Sequence, residues 1–256
     1  MHSSNQISNR EGLIALKVYV VENYQELSIR AAGIVASQVI LKEDAVLGLA
    51  TGSTPEGMYR ELAQLYREGK VDFSRVTTFN LDEYWGLAPG HHQSYHYYMH
   101  QHFFDHVNIS PENIHLPPGE GADVSAICRA YEETIAAAGG IDLQVLGIGV
   151  NGHIGFNEPG QRLPTRTHRV DLSAETIAAN SRFFPTPEEV PRQAITMGMG
   201  SIMQARRILL LASGKGKAAA IRDTLGGQVT TAVPASFLQL HRRAIVLLDR
   251  EAAALL

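Results

Sequence analysis

Three short apolar runs constrain the fold most: Ala45–Ala50, Ile141–Leu146 and Arg207–Leu211. Each passes at its carboxyl end into a loop of glycines and polar residues, and two of the loops lead on into a helical pattern. The first run is apolar throughout, as expected of a strand buried on both faces, and parallel strands are buried in that way. Helical spacing covers Tyr24–Leu41 and Val124–Ala138, where Ile127, Tyr131 and Ile135 recur at i+4 before Gly139-Gly140. Further strands are predicted at Leu16–Val21, Val76–Asn80, Ile114–Leu116, Ala194–Met197 and Ala244–Leu248. Repeated strand–loop–helix units predict an α/β fold with a doubly wound, mainly parallel sheet and helices on both faces, Rossmann-like in character. We expect residues 1–256 to form a single domain, with a lid near 165–190.

The functional reading starts from the loops at the carboxyl ends of strands, where open parallel sheets bind ligands. After the 141–146 run stands G-I-G-V-N-G-H-I-G-F-N-E-P, residues 147–159. Gly147, Gly149 and Gly152 match a dinucleotide fingerprint, and Asp171 follows at a suitable distance. That fingerprint needs the last glycine to open a helix, whereas His153–Pro164 holds two glycines and two prolines. The dinucleotide reading is therefore set aside. The loop instead offers Asn151, His153, Asn157 and Glu158.

After the 45–50 run come Thr51-Gly52-Ser53-Thr54-Pro55 and a helix through Met58, Leu62 and Leu65. Thr54 before Pro55 fits an N-cap followed by proline at the first helical position. The turn is either an anion site, built of backbone N–H groups and hydroxyls, or an ordinary capped βα turn. It is not a Walker loop, since no G-K-[ST] follows. Ser213-Gly214-Lys215-Gly216-Lys217 offers a second anion site with lysines added. Asp82 and Glu83 stand at the end of the 76–80 strand, where they are either catalytic or merely solvated. Arg182, in A-N-S-R-F-F, is either an anion contact on the lid or a surface residue. His92, His96 and His100 fall at i, i+4, i+8, but no neighbouring cysteine or carboxylate completes a clear metal-ligand set. The interleaved aromatics suit a packed amphipathic helix, and no metal is assigned.

Net charge is −4 with 45% hydrophobic residues, which invites neither nucleic acid nor an anionic membrane. The lone Cys128 excludes an internal disulfide framework. No run reaches the ~18 apolar residues of a membrane span, and Met1–Arg10 lacks a signal-peptide core. A cytoplasmic protein is expected.

T-G-S-T-P at 51–55, F-N-L-D-E-Y at 79–84, S-Y-H-Y-Y-M-H at 94–100, F-F-D-H-V at 103–107, G-V-N-G-H-I-G-F-N-E-P at 149–159 and A-N-S-R-F-F at 179–184 together resemble the glucosamine-6-phosphate deaminases. The resemblance runs from about residue 17 to residue 249. It implies conversion of glucosamine 6-phosphate and water into fructose 6-phosphate and ammonia, with no metal or organic cofactor. It implies Asp82 as the base that moves a proton between C2 and C1. His153 is then the ring-opening base, with Asn151 and Glu158 as its partners. Thr51, Gly52, Ser53, Thr54, Glu83, Gly152, Arg182 and Lys217 are implied as substrate-binding. Many members carry Asp where this chain has Asn151, and an amide accepts a bond from imidazole but gives no charge.

Two alternatives compete with that reading: a 6-phosphogluconolactonase-like hydrolase and a non-catalytic sugar-phosphate sensor. Asp82-Glu83-Tyr84 and Asn157-Glu158-Pro159 speak against the first. The presence of both Asp82 and His153 speaks against the second. The resemblance is compatible with a homo-oligomer. Hexameric family members bind an allosteric phosphate between subunits, through two serines, an arginine and a lysine. The matching positions here are Gln161, Arg162, His168 and Val170, and the chain ends soon after its final strand. We therefore expect no activation by N-acetylglucosamine 6-phosphate.

Overall fold

The computed structural model describes residues 6–7 and 16–256. In chain order the elements are β1 (Gln6–Ile7), β2 (Lys17–Val21), α1 (Tyr24–Leu41), β3 (Val46–Leu49), α2 (Glu56–Arg67), β4 (Thr77–Asn80), β5 (Asp82–Tyr84), α3 (Tyr95–His102) and β6 (Ile114–His115). There follow α4 (Val124–Ala137), β7 (Leu143–Leu146), β8 (His168–Asp171), α5 (Ala174–Asn180), β9 (Gln193–Thr196), α6 (Met199–Met203), β10 (Ile208–Ala212), α7 (Ala218–Leu225) and β11 (Ala244–Asp249).

The main sheet has the order β1-β2-β11-β10-β7-β3-β4-β6 among the described residues. Every neighbouring pair is parallel except β1 and β2. Period-two alternation sends Ile208, Leu210 and Ala212 of β10 into one apolar layer and Leu209 and Leu211 into the other. The first layer lies under α4, α6 and α7, and the second under α1, α2 and α3. Full burial of a leucine is worth roughly 1.5–3 kcal/mol relative to exposure, which is why these strands read as continuous apolar runs. Strand order reverses between β3 and β7, so the loops leaving these two neighbours diverge and open a crevice.

The sequence reading needs two corrections here. First, Asp82–Tyr84 is not merely a loop at the end of β4. It forms β5 of a separate antiparallel sheet, order β5-β9-β8, with Asp82 opposite Thr196 and Val170 opposite Ala194. The predicted 194–197 strand therefore belongs to this sheet and not to the parallel one. Tyr84, Phe156, Leu172, Phe184, Val190 and Ala194 form its own small apolar cluster. The 165–190 segment thus begins with a strand bonded to β9 and continues as α5 and a 3₁₀ turn at Ser181–Phe183.

Second, α2 begins at Glu56 without a side-chain cap, so Thr54 does not serve as one. The Tyr24 hydroxyl accepts the Gly57 N–H at 2.8 Å in its place. The 24–41 helix has its predicted bounds and is capped by Asn23, which accepts from Glu26 N–H. No helix follows β7 directly, as the prolines and glycines of 153–164 require.

Candidate active site

The loops after β3, β4, β7 and β10, with α5 and the turn beyond it, enclose a cleft of about 440 Å³. Thr51, Gly52, Ser53, Thr54, Asp82, Asn151, His153, Arg182 and Lys217 all line it. Residues from six separate stretches of sequence thereby meet in one place.

Asp82 is buried, with 6% of its surface exposed. Burial raises its pKa to about 8, and the Glu83 charge adds to the shift. Among the described residues no donor is bonded to its carboxylate, which leaves the group a poorly solvated base lining the cleft. Gly155 passes beside it, where an added Cβ would lie 3.7 Å from Asp82 Oδ2.

Glu83 points the other way, as alternate residues of a strand must, and does not line the cleft. Its carboxylate accepts the N–H groups of Tyr84, Tyr95 and His96 at 2.8–2.9 Å. Burial raises its pKa to about 7, against the pull of these three bonds. An anion at the start of α3 also suits the helix dipole. Glu83, for which the resemblance implies substrate contact, thus lies outside the cleft lining and holds α3 on β5.

His153 is placed by a tight turn. Gly149 N–H donates to His153 carbonyl at 2.9 Å, and Gly152 N–H to Gly149 carbonyl at 3.1 Å. The imidazole lies so close across Gly149 that a Cβ there would sit 2.3 Å from the ring. His153 Nδ1 is buried and lies 3.4 Å from Glu158 Oε2, an ion-pair distance without hydrogen-bond alignment. Nε2 is the ring nitrogen left for the cleft.

Burial works against the Glu158 charge, but His153, Thr176 and Asn151 together lower its pKa to about 2. Thr176 Oγ donates a short bond to Oε1, and Ser173 Oγ donates at 3.2 Å. Asn151 Nδ2 donates to Oε2 at 3.0 Å, while its Oδ1 accepts the backbone N–H of His153. Asn151 therefore braces the turn and the carboxylate rather than accepting from the imidazole, and the charge beside the histidine comes from Glu158. Gly152 turns away from the cleft, its Cα packed toward Val233.

In the Thr51–Thr54 loop, which also lines the cleft, none of the N–H groups finds an acceptor among the described residues. Gly52 supports this arrangement with φ +99°, which other residues rarely adopt. Arg182 and Lys217 line the same cleft, close enough to each other for their charges to interact. Burial lowers the Lys217 pKa and the nearby Arg182 charge lowers it further. Two like charges side by side, with unpaired amides close by, make a site for an anion. The Ser213–Lys217 loop is fixed from behind by Asp249, which accepts from Ser213 Oγ at 2.5 Å and from Gly214 N–H.

The cleft residues Tyr95, Glu175 and Thr176 carry no distinct signal in the sequence. Thr176 follows the Ser173 cap in an ordinary helix start and carries no signal of its own. Tyr95 sits in the aromatic helix that pattern alone assigns to packing. His96 and His100 of that helix have ring centroids 4.7 Å apart, and Asp105 bonds His100 Nδ1 at 2.7 Å. A carboxylate neighbour thus exists for His100. Among the described residues no group of three potential ligands meets there.

The family model for glucosamine-6-phosphate isomerases/6-phosphogluconolactonase matches residues 22–247. The glucosamine-6-phosphate deaminase of Halothermothrix orenii is 62% identical over 241 residues, 94% of this chain and 100% of that protein. That of Clostridium botulinum is 54% identical over 239 residues, 93% of this chain and 98% of its own. The solved structure of a monomeric glucosamine-6-phosphate deaminase superposes with TM-score 0.91 at 49% identity, covering 93% of this chain and 99% of that one. A 6-phosphogluconolactonase from Thermotoga maritima superposes at 0.71 with 21% identity, covering 91% and 98%, which shows a common fold. On sequence and on fold alike, the chain belongs to the glucosamine-6-phosphate isomerase/6-phosphogluconolactonase family.

Proposed function

We propose that this protein isomerises and deaminates glucosamine 6-phosphate to fructose 6-phosphate and ammonia. One observation carries the reading: a single cleft is lined both by the buried carboxylate of Asp82 and by Arg182 and Lys217, which form no ion pair among the described residues. The substrate phosphate binds the amides and hydroxyls of Thr51–Thr54 with Arg182 and Lys217. That remote handle fixes the reacting carbons relative to Asp82.

His153 Nε2 takes the O1 proton as the pyranose opens and O5 is protonated, with Glu158 holding the imidazole and stabilising its charged form. In the open aldehyde the C2 hydrogen is acidic. Asp82 removes it to give an enolamine and returns the proton to C1, leaving an imine at C2. Water adds to C2 and ammonia departs. A carboxylate whose pKa is raised toward neutrality suits this shuttle better than an ordinary aspartate, because base strength follows pKa.

We infer that one chain suffices, since every group named comes from the same polypeptide and a relative of 49% identity is monomeric. Among the described residues no helix is long and apolar enough to cross a membrane, and we place the activity in the cytoplasm, where phosphorylated sugars are retained. The test is ammonia release from glucosamine 6-phosphate. Wild type should turn over and Asp82→Asn should lose at least the ~10²–10⁴ typical of a general base, with fructose 6-phosphate still bound. Asp82→Asn activity within a few fold of wild type removes Asp82 from the role. Hydrolysis of 6-phosphogluconolactone without ammonia release overturns the deaminase reading.

A further inference from the structure

Three tyrosines from three different elements converge on the back of the Thr51–Thr54 loop. Tyr59 of α2 donates its hydroxyl proton to the Ala50 carbonyl at 2.6 Å. Tyr98 of α3 donates to the Gly52 carbonyl at 2.7 Å. Tyr24, at the start of α1, donates to the Ser53 carbonyl at 2.9 Å and accepts the Gly57 N–H at 2.8 Å. Burial pushes the Tyr59 and Tyr98 hydroxyls upward, so both remain protonated donors.

These bonds act on the peptide planes. A peptide carries its carbonyl and the following N–H on opposite sides. Tying the carbonyls of Ala50, Gly52 and Ser53 to phenols behind the loop turns the N–H groups of Thr51, Ser53 and Thr54 forward. Those N–H groups have no acceptor among the described residues and border the cleft. Gly52, at φ +99°, is the residue whose peptides would flip most freely without the bonds. Tyr98 has a second significance. Its helix is fastened at the first turn by Glu83, the neighbour of Asp82 in β5. α3 therefore sets the spacing between the base and the anion loop.

We propose that Tyr24, Tyr59 and Tyr98 are positioning residues that preorganise the backbone amides of residues 51–54 for a phosphate dianion, and that they govern phosphate affinity without touching the ligand. The proposal rests on the deaminase reading for its substrate, but its test does not.

Inorganic phosphate binding is measured by calorimetry on wild type and on Tyr98→Phe, Tyr24→Phe and the control Tyr66→Phe, whose hydroxyl touches neither the loop nor the cleft. Each loop variant keeps the ring; Tyr98→Phe loses only the donor, and Tyr24→Phe loses the acceptor of the Gly57 N–H as well. Loss of one such bond is expected to weaken phosphate binding roughly three- to tenfold, with Tyr66→Phe unchanged. Steady-state ammonia release should show the same split: KM for glucosamine 6-phosphate raised by a similar factor and kcat within about twofold. Tyr98→Phe and Tyr24→Phe binding phosphate as tightly as wild type would overturn the proposal, as would a fall in kcat at unchanged KM. Absence of ammonia release from wild type, with the phosphate result intact, would sink the deaminase reading and leave the proposal standing.

Discussion

Asp82 illustrates how function is set against stability at one residue. Its folded pKa, about 8, lies above the 3.8 of an unperturbed aspartate. The unfolded chain therefore loses this proton first, and the folded state is penalised as pH rises from about 4. The penalty is complete above about pH 8. Asparagine has nearly the same shape and never ionises. Asp82→Asn is thus expected to be inactive yet more stable, by ~1–2 kcal/mol near pH 9. This figure is lower than the whole pKa difference implies, because water and relaxation soften a buried charge. In Tm it corresponds to about 3–6 °C for a chain of this size. The gain should be much smaller near pH 5. Thermal melts of both proteins at the two pH values check this, and equal Tm values at pH 9 would show that Asp82 carries no such burden. Nothing in D-E-Y reveals which of two adjacent acids is strained. The alternation of β5, which aims Asp82 at the cleft and Glu83 at the α3 amides, decides it.

At the scale of elements, α5 joins the two ends of the cleft. Its first turn brings Thr176 and Ser173 onto Glu158, and its far end leads into the turn that carries Arg182. Thr176→Val keeps the shape of the side chain and removes one donor to an ionised carboxylate. Since the Glu158 pKa is lowered to about 2, its bonds stabilise the fold above the unfolded pKa of 4.5 and lose that effect as pH falls through about 2. Thr176→Val should therefore cost ~1–2 kcal/mol at neutral pH, shrinking only as the solution is acidified toward about pH 2. Turnover should fall several-fold, because Glu158 holds His153 less firmly. Urea unfolding at pH 7 and at about pH 2 measures the first effect, and an undiminished deficit at pH 2 would mean that the loss is one of packing. Such links were not legible in the sequence. The long apolar strands and α1 were, since propensity, patterning and the Asn23 cap agree there. β5 and β8 were not, because each is a few residues long and pairs with β9 far away in the chain, where local pattern carries no register. The site was legible where loops follow strands of the parallel sheet. It is less legible at Glu83 and Gly152, which lie outside the cleft lining, and at Asn151, whose amide bonds Glu158 and the His153 N–H and not the imidazole.

For the whole molecule, the question is whether a second phosphate, bound away from the cleft, can act on it. An effector shifts an equilibrium only through different affinity for two states, so the chain must supply groups to hold it. The positions that match the arginine and lysine of the hexameric site, His168 and Val170, lie on the same half-buried side of β8. Val170 packs into the apolar cluster around Tyr84 and Phe184. His168 is kept below its usual pKa by burial and bonds the Arg166 carbonyl through Nδ1. It is neutral at pH 7 and turned to the backbone. The nearby arginines that could replace the missing charge are themselves engaged: Arg166 pairs with Glu132 at 3.2 Å, and Arg169 lies 5.6 Å over the Trp85 ring. Only Arg162 and Gln161 stand at the remaining matched positions, and one cation with an amide is a poor dianion site. Rate against glucosamine 6-phosphate concentration should therefore be hyperbolic, and N-acetylglucosamine 6-phosphate should leave the half-saturating concentration unchanged except for simple competition at the cleft. A sigmoidal curve that becomes hyperbolic when N-acetylglucosamine 6-phosphate is added would require a phosphate site outside the cleft, with Arg162→Ala as the first variant to test for it.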